Sequence, residues 1–207
     1  MKKQTILFLA ILGVVAISAA KSTKLAFTWK NPNYTGGSFK NILVLAMNGK
    51  ASSRADFEDQ MVAGITRPGI QAVPSYSLLP RPEATPIDMD DLRSVVRGQN
   101  FDAVLVSRLV KYDKTMSYVP GQAYPLYPYY GTFYGYYGAL SPIVYSPGYL
   151  QTDTQVQIES NFYSAAKQDG ELVWTGTSDS MNPKSVTKLI NAVVKLVVQE
   201  LEKERVI

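Results

Sequence analysis

The chain has 207 residues, with 21 Lys+Arg against 17 Asp+Glu, a formal net charge of +4, and neither cysteine nor histidine. That composition excludes disulfides, thiolate metal ligands and thiol nucleophiles, and with histidine it removes the commonest general base and transition-metal ligand. So small a basic excess, with no clustered basic stripe, also argues against nucleic acid as a partner.

In chain order, the first feature is Met1-Lys2-Lys3, then an uncharged, mostly apolar stretch from Ile6 to Ile17, then Ser18, Ala19 and Ala20 before Lys21. A basic head, a short apolar middle and small residues at −3 and −1 are the pattern of a cleavable secretory signal over residues 1–20. The apolar stretch falls short of the ~20 residues that span a bilayer, and no later stretch approaches that length. The expected product is a periplasmic or otherwise extracytoplasmic domain over residues 21–207, soluble after cleavage near Ala20, with 19 basic and 17 acidic side chains.

Leu25 to Trp29 reads as a short strand, closed by Asn31, Pro32, Asn33, Gly36 and Gly37. Ile42 to Met47 is an unbroken apolar run, the pattern of a central strand covered on both faces. Ser53 with Asp56 three residues on predicts a helix start, with Phe57, Met61 and Ile65 on its buried side and Glu58 and Asp59 on its solvated face. Pro68 and Gly69 end that helix. Ile70 to Leu79 returns as a strand whose Pro74, lacking a ladder donor, belongs at a sheet edge.

Asp88 is placed to cap a second helix with Met89, Leu92, Val95 and Val96 on its apolar side and Gly98 at its end. Ala103 to about Tyr112 is the next strand. Strand, helix, strand, helix, strand is the order of a parallel, right-handed βαβαβ layer. Further on, Val156, Ile158 and Phe162 alternate with polar residues, Asp169-Gly170 reads as a tight turn, and Leu172 to Thr177 completes an antiparallel hairpin. Asn182 and Pro183 then open a C-terminal helix with Val186, Leu189, Ile190, Val193, Val197 and Leu201 in one stripe. The predicted fold is α/β with an α+β tendency: a mixed sheet with helices packed on it.

Between these halves, residues 115–152 carry no charge, and ten of the fourteen tyrosines lie from Tyr118 to Tyr149 among prolines and glycines. With neither periodicity sustained, the segment reads as a long loop inserted in the single domain. Tyrosine joins a flat apolar ring to a hydroxyl, so the densest group, Tyr129, Tyr130, Tyr134, Tyr136 and Tyr137, is the candidate contact surface for an envelope protein, glycan or peptide.

Signals for chemistry are sparse. No phosphate-cradling glycine loop or nucleophile elbow is present. Ser-x-x-Lys occurs at Ser164/Lys167 and Ser185/Lys188 without the companion motifs of acyl-transfer enzymes. Asp88, Asp90 and Asp91 could offer oxygen ligands to a hard cation, but acids in a first helical turn are explained by the helix dipole. No catalytic residue, metal ligand or cofactor is assigned.

Ser38 to Met47, Arg54-Ala-Asp-Phe-Glu-Asp59 and Val73-Pro-Ser-Tyr76, taken together, resemble a bacterial family of envelope proteins catalogued as domain of unknown function 4136, many of them lipoprotein-like. More distantly, the layout is similar to the N-terminal α/β domains of envelope translocation and curli-secretion proteins. The resemblance implies location and fold and transfers no catalytic residue. The absent lipobox cysteine departs from the lipoprotein members. The expected function is a non-catalytic envelope binding or assembly module; a carboxylate-dependent hydrolase of an envelope polymer is the alternative, since paired acids come from distant strands. A cleft with two facing acids would mark the hydrolase.

Overall fold

A computed structural model describes residues 23–34, 38–47, 49–80, 87–124, 144–167 and 170–207, without the side chains of 122–124 and 144–146. The elements are β1 (Thr23–Lys30), β2 (Asn41–Ala46), α1 (Ala51–Ile65), β3 (Gln71–Pro74), α2 (Met89–Gly98), β4 (Ala103–Val119), β5 (Gln122–Tyr124), β6 (Val144–Ser146), β7 (Tyr149–Ser164), β8 (Glu171–Met181) and α3 (Val186–Lys203). Six strands form one mixed sheet in the order β1-β8-β7-β4-β2-β3, and β5 pairs with β6 separately. β2 runs parallel to β3 and β4, whereas β4, β7, β8 and β1 are mutually antiparallel neighbours. The expected α/β architecture, with its parallel half, C-terminal hairpin and C-terminal helix on the sheet, is what forms.

The apolar run of β2 is buried on both faces because the sheet is covered on both sides there. Ile42, Val44 and Ala46 join Ala103 and Leu105 of β4, Phe162 of β7 and Trp174 of β8 in a core closed by Phe57, Met61 and Ile65 of α1 and the valine-rich stripe of α3. Leu43 and Leu45, by strand alternation, point to the opposite face. There Leu92 and Val96 of α2 border a cleft with Val104 and Val106. α2 itself has no buried residue. α1 and α3 meet closely at Gly64, where a Cβ would stand 3.0 Å from Val198 Cγ2.

Several boundaries differ from those expected, each for a local reason. α1 begins at Ala51, before Ser53, because Gly49 at φ +105° redirects the chain and Lys50 O accepts from Arg54 N at once; no side chain caps it. Glu58 is not solvated: it is 1% exposed, and its Oε1 accepts from Ala46 N (2.8 Å) and Ser75 Oγ (2.9 Å) and its Oε2 from Tyr76 N (3.0 Å). That carboxyl group draws residues 75–77 into a 3-10 turn, so β3 stops at Pro74 rather than running to Leu79. β3 is the edge strand that Pro74 calls for.

Gly98 is the last helical residue of α2, but Asn100 takes the left-handed conformation (φ 55°) while Phe101 N bonds Val96 O and Asn100 N bonds Arg97 O, a Schellman closure. α3 starts at Val186, capped by Ser185 Oγ, which accepts from Lys188 N; Asn182 instead accepts from Thr154 N through its Oδ1. Val186 is consequently exposed, while Val194 and Val198 complete the buried stripe.

The largest difference lies in the tyrosine-rich stretch. β4 and β7 pair continuously to Val119↔Tyr149, so residues 115–119 and 149–152 are strand, not loop. β8 leaves β7 at Gln155↔Met181 and β2 leaves β4 at Ser107, so beyond those points the two strands continue as a two-stranded ribbon. Met116, Tyr118, Tyr149 and Leu150 stand exposed on it. The expected signal segment 1–20, Asp169 of the expected turn, and residues 125–143, which include Tyr129, Tyr130, Tyr134, Tyr136 and Tyr137, lie outside the described residues.

Candidate functional site

β2 ends at Ala46 beside Ser107, while β4 runs on past it against β7. The chain leaves β2 into α1 and returns over the same sheet face with α3, so the N-terminal ends of both helices border the space above the continuing strands. A crevice beyond the carboxyl ends of parallel strands is where open α/β sheets commonly bind ligands. Here it holds a cleft of about 480 Å³, within the range of small-molecule sites.

Its floor follows from a register shift between Leu109 and Lys111. The extra residue, Val110, resets the alternation, so Leu109 opposite Ile158, Tyr112 opposite Val156 and Lys114 opposite Thr154 all line the cleft. Ser53, Arg54 and Phe57 of α1 form one wall, and Pro183, Ser185, Val186, Leu189 and Ile190 at the start of α3 form the other. The lining is thus mainly aliphatic and aromatic with a few polar groups.

No Asp or Glu is among the lining residues, whereas Arg54, Arg108 and Lys114 are. Arg108 is committed elsewhere, making a two-pronged contact with Glu159 (Nε–Oε1 3.0 Å, Nη2–Oε2 3.3 Å). That hydrogen-bonded guanidinium holds the Glu159 carboxyl below its ordinary range and raises Arg108 above its own. Arg54 differs: it is 8% exposed, its Nε has no hydrogen-bond partner, and it forms no ion pair among the described residues. Lys114 is exposed, has no carboxylate partner among the described residues, and its Nζ stands 5.7 Å from the Tyr112 ring centroid. Neither α1 nor α3 carries an acid in its first turn, so the positive ends of both dipoles are uncompensated by side chains. The arrangement suits a negatively charged group beside an apolar body.

The acids near this cleft are engaged elsewhere. Glu58 is bound by its three donors inside α1, and Asp153 accepts from Gln151 and Asn182, whose hydrogen bonds hold it below the usual carboxylate range. Asp88 caps α2, its Oδ1 accepting from Asp90 N (2.8 Å) and Asp91 N (3.2 Å). The Ser-x-x-Lys matches have structural roles too: Ser185 is the α3 cap, and Lys167 pairs with Glu171 at 2.8 Å. Arg54 and Lys114 were not among the expected site residues. A signal for Arg54 was present, since positions 54, 57, 58, 61 and 65 share one helical face.

Fold and cleft together define a mixed α/β sheet domain with an apolar, cation-walled crevice at the ends of its parallel strands; among the described residues no helix is long and apolar enough to cross a membrane. No family model and no curated protein matches the chain, so the resemblance to domain of unknown function 4136 gains no support from either. Among solved structures, the chain is similar to two forms of the PelC dodecamer from Paraburkholderia phytofirmans. Each is 12% identical and covers 85% of this chain, with 96% and 95% of the PelC chain covered and TM-scores of 0.46 and 0.43. It is also similar to the lipoprotein GNA1162 from Neisseria meningitidis: 14% identity, 79% of this chain, 99% of that one, TM-score 0.40. At such values neither ligand nor assembly state carries over.

Proposed function

We propose that this chain is a non-catalytic binding module of the cell envelope, acting outside the cytoplasm, and that the cleft between the N-terminal ends of α1 and α3 holds its ligand. The observation that carries this reading is the lining: apolar side chains with Arg54 and Lys114 at hand and no carboxylate among them. Hydrolysis of a glycosidic bond uses two carboxyl groups flanking the bond, which this lining does not offer. The export pattern of residues 1–20 supports the location. Tyr129, Tyr130, Tyr134, Tyr136 and Tyr137 are proposed as contacts to a macromolecular partner.

The test is to purify the exported protein from envelope, extract it with organic solvent and identify what is released by mass spectrometry, beside a Leu109→Trp variant that fills the cleft. The same preparations are incubated with peptidoglycan and envelope polysaccharide. A compound released from the parent but not from the variant, with no polymer cleaved, is expected. Polymer cleavage abolished by substituting an acid would replace this reading with the hydrolase.

A further inference from the structure

Resting on the reading of the cleft as a ligand site, we infer that its ligand is a single-chain amphiphile with an anionic head, a carboxylate or phosphate on an alkyl tail, with the head at Arg54 and the tail along Leu109, Val156, Ile158 and Leu189. Three independent features converge on that chemistry. First, Arg54 is more than nine-tenths buried, lines the cleft, and keeps a buried Nε without a partner. Arg54 makes no ion pair within 4 Å, and the buried carboxyl group one helical turn on, Glu58, is taken up by its own three donors, so an arriving anion would gain charge-assisted hydrogen bonds from a guanidinium that spends none on an acid.

Second, the helix ends reinforce the sign. Backbone N–H groups at the starts of α1 and α3 border the same space, and a helix N-terminus favours negative charge. Lys114 of β4 adds a second cation to the lining. Third, Leu109, Val156, Ile158, Val186, Leu189 and Ile190 make up most of the remaining lining. An alkyl chain would bury apolar surface against them, whereas Ser53, Tyr112, Thr154 and Ser185 offer a sugar only scattered hydroxyls. A cationic head would meet Arg54 and Lys114 with like charge.

The experiment is titration calorimetry of the exported, delipidated protein with dodecanoate, dodecyl phosphate, inorganic phosphate, dodecyl maltoside and dodecyltrimethylammonium, each below its micelle concentration. Dodecanoate and dodecyl phosphate are expected to bind one to one; inorganic phosphate and the cation are expected not to bind. Arg54→Gln is expected to weaken binding at least about tenfold, the loss of a charge-assisted contact. Because Arg54 is buried, Lys114→Gln, on an exposed side chain that folding does not need, serves as the second variant and is expected to weaken binding about two- to fivefold.

Inorganic phosphate binding as tightly as dodecyl phosphate would overturn the tail. Dodecyl maltoside binding as tightly as dodecanoate, with both variants unchanged but Leu109→Trp inactive, would overturn the anionic head and leave the cleft as a ligand site. If no amphiphile binds and Leu109→Trp changes nothing that co-purifies, both this inference and the binding-module reading fall.

Discussion

Glu58 ties three elements together, and removing it should unlatch them. Its carboxyl oxygens accept from the last residue of β2 and from both a side chain and a backbone N–H of the 3-10 turn after β3. Glu58→Ala leaves those donors without a partner in a site where Glu58 and Ser75 are at most 2% exposed. Each orphaned buried donor costs about 1–3 kcal/mol. The loss is offset in part because the carboxyl group no longer has to be buried, and in part because water can enter the space left. A net destabilisation of about 3 kcal/mol follows, which for a domain of this size lowers Tm by roughly 6–12 °C. Glu58→Gln keeps one acceptor oxygen but turns an amide donor toward a donor, so about half that loss is expected. Guanidinium denaturation followed by circular dichroism measures both. A Glu58→Ala midpoint within about 0.5 kcal/mol of the parent would refute the latch.

Further outcomes follow from single positions. A Cβ on Gly176 would lie 2.4 Å from Trp174 Cη2 and 2.6 Å from Cζ2, and that indole is fully buried; Gly176→Ala should therefore cost about 1–3 kcal/mol by overpacking, read as a lower denaturation midpoint. Arg205 closes α3 in the left-handed conformation (φ 54°), with Val206 N bonded to Leu201 O; Arg205→Gly should raise the midpoint by about 1 kcal/mol. The folded-state acidity of Glu159 is held below its unfolded value by Arg108, so the pair stabilises the protein above the unfolded carboxyl range near about pH 4.3 and loses that contribution as pH falls through the folded value. A Glu159→Gln variant should accordingly be less stable than the parent at pH 7, with the gap closing toward pH 3 in thermal melts. Replacing residues 125–143 by a short Gly/Ser linker should leave Tm within a few degrees, since shortening a connection changes closure entropy by only about 0.6 kcal/mol per halving.

The sequence made the core legible where hydrophobic period and burial coincide. The Ile42 to Met47 run as far as Ala46, the Phe57-Met61-Ile65 face and the α3 stripe from Ile190 to Leu201 form as read, because burial on one or two faces leaves a periodic mark; Met47 and Val186, at the ends of their elements, are exposed. It failed where a tertiary partner overrides local preference. Ser53 and Asn182 are good capping residues on their own, yet α1 starts after Gly49 and Asn182 is spent on Thr154. Glu58 reads as surface because its donors come from two distant segments. Continuation of β4 and β7 through uncharged residues 115–119 and 149–152 was hidden because long-range pairing, not local alternation, extends them. Arg54 was quoted within a motif but not as a site residue. Its meaning depends on its Nε being buried without a hydrogen-bond partner, and a linear pattern does not report that.

The most direct measurement is methyl NMR of the protein, with assigned Leu, Val and Ile methyls, during addition of dodecanoate. Shifts should concentrate at Leu109, Val156, Ile158 and Leu189 and need at least about tenfold more dodecanoate in Arg54→Gln, while Leu92, Val104 and Val106, which line the cleft on the opposite face of the sheet, stay fixed. Shifts confined to Leu92, Val104 and Val106, or spread evenly over both faces, would show that the α1–α3 cleft is not the ligand site.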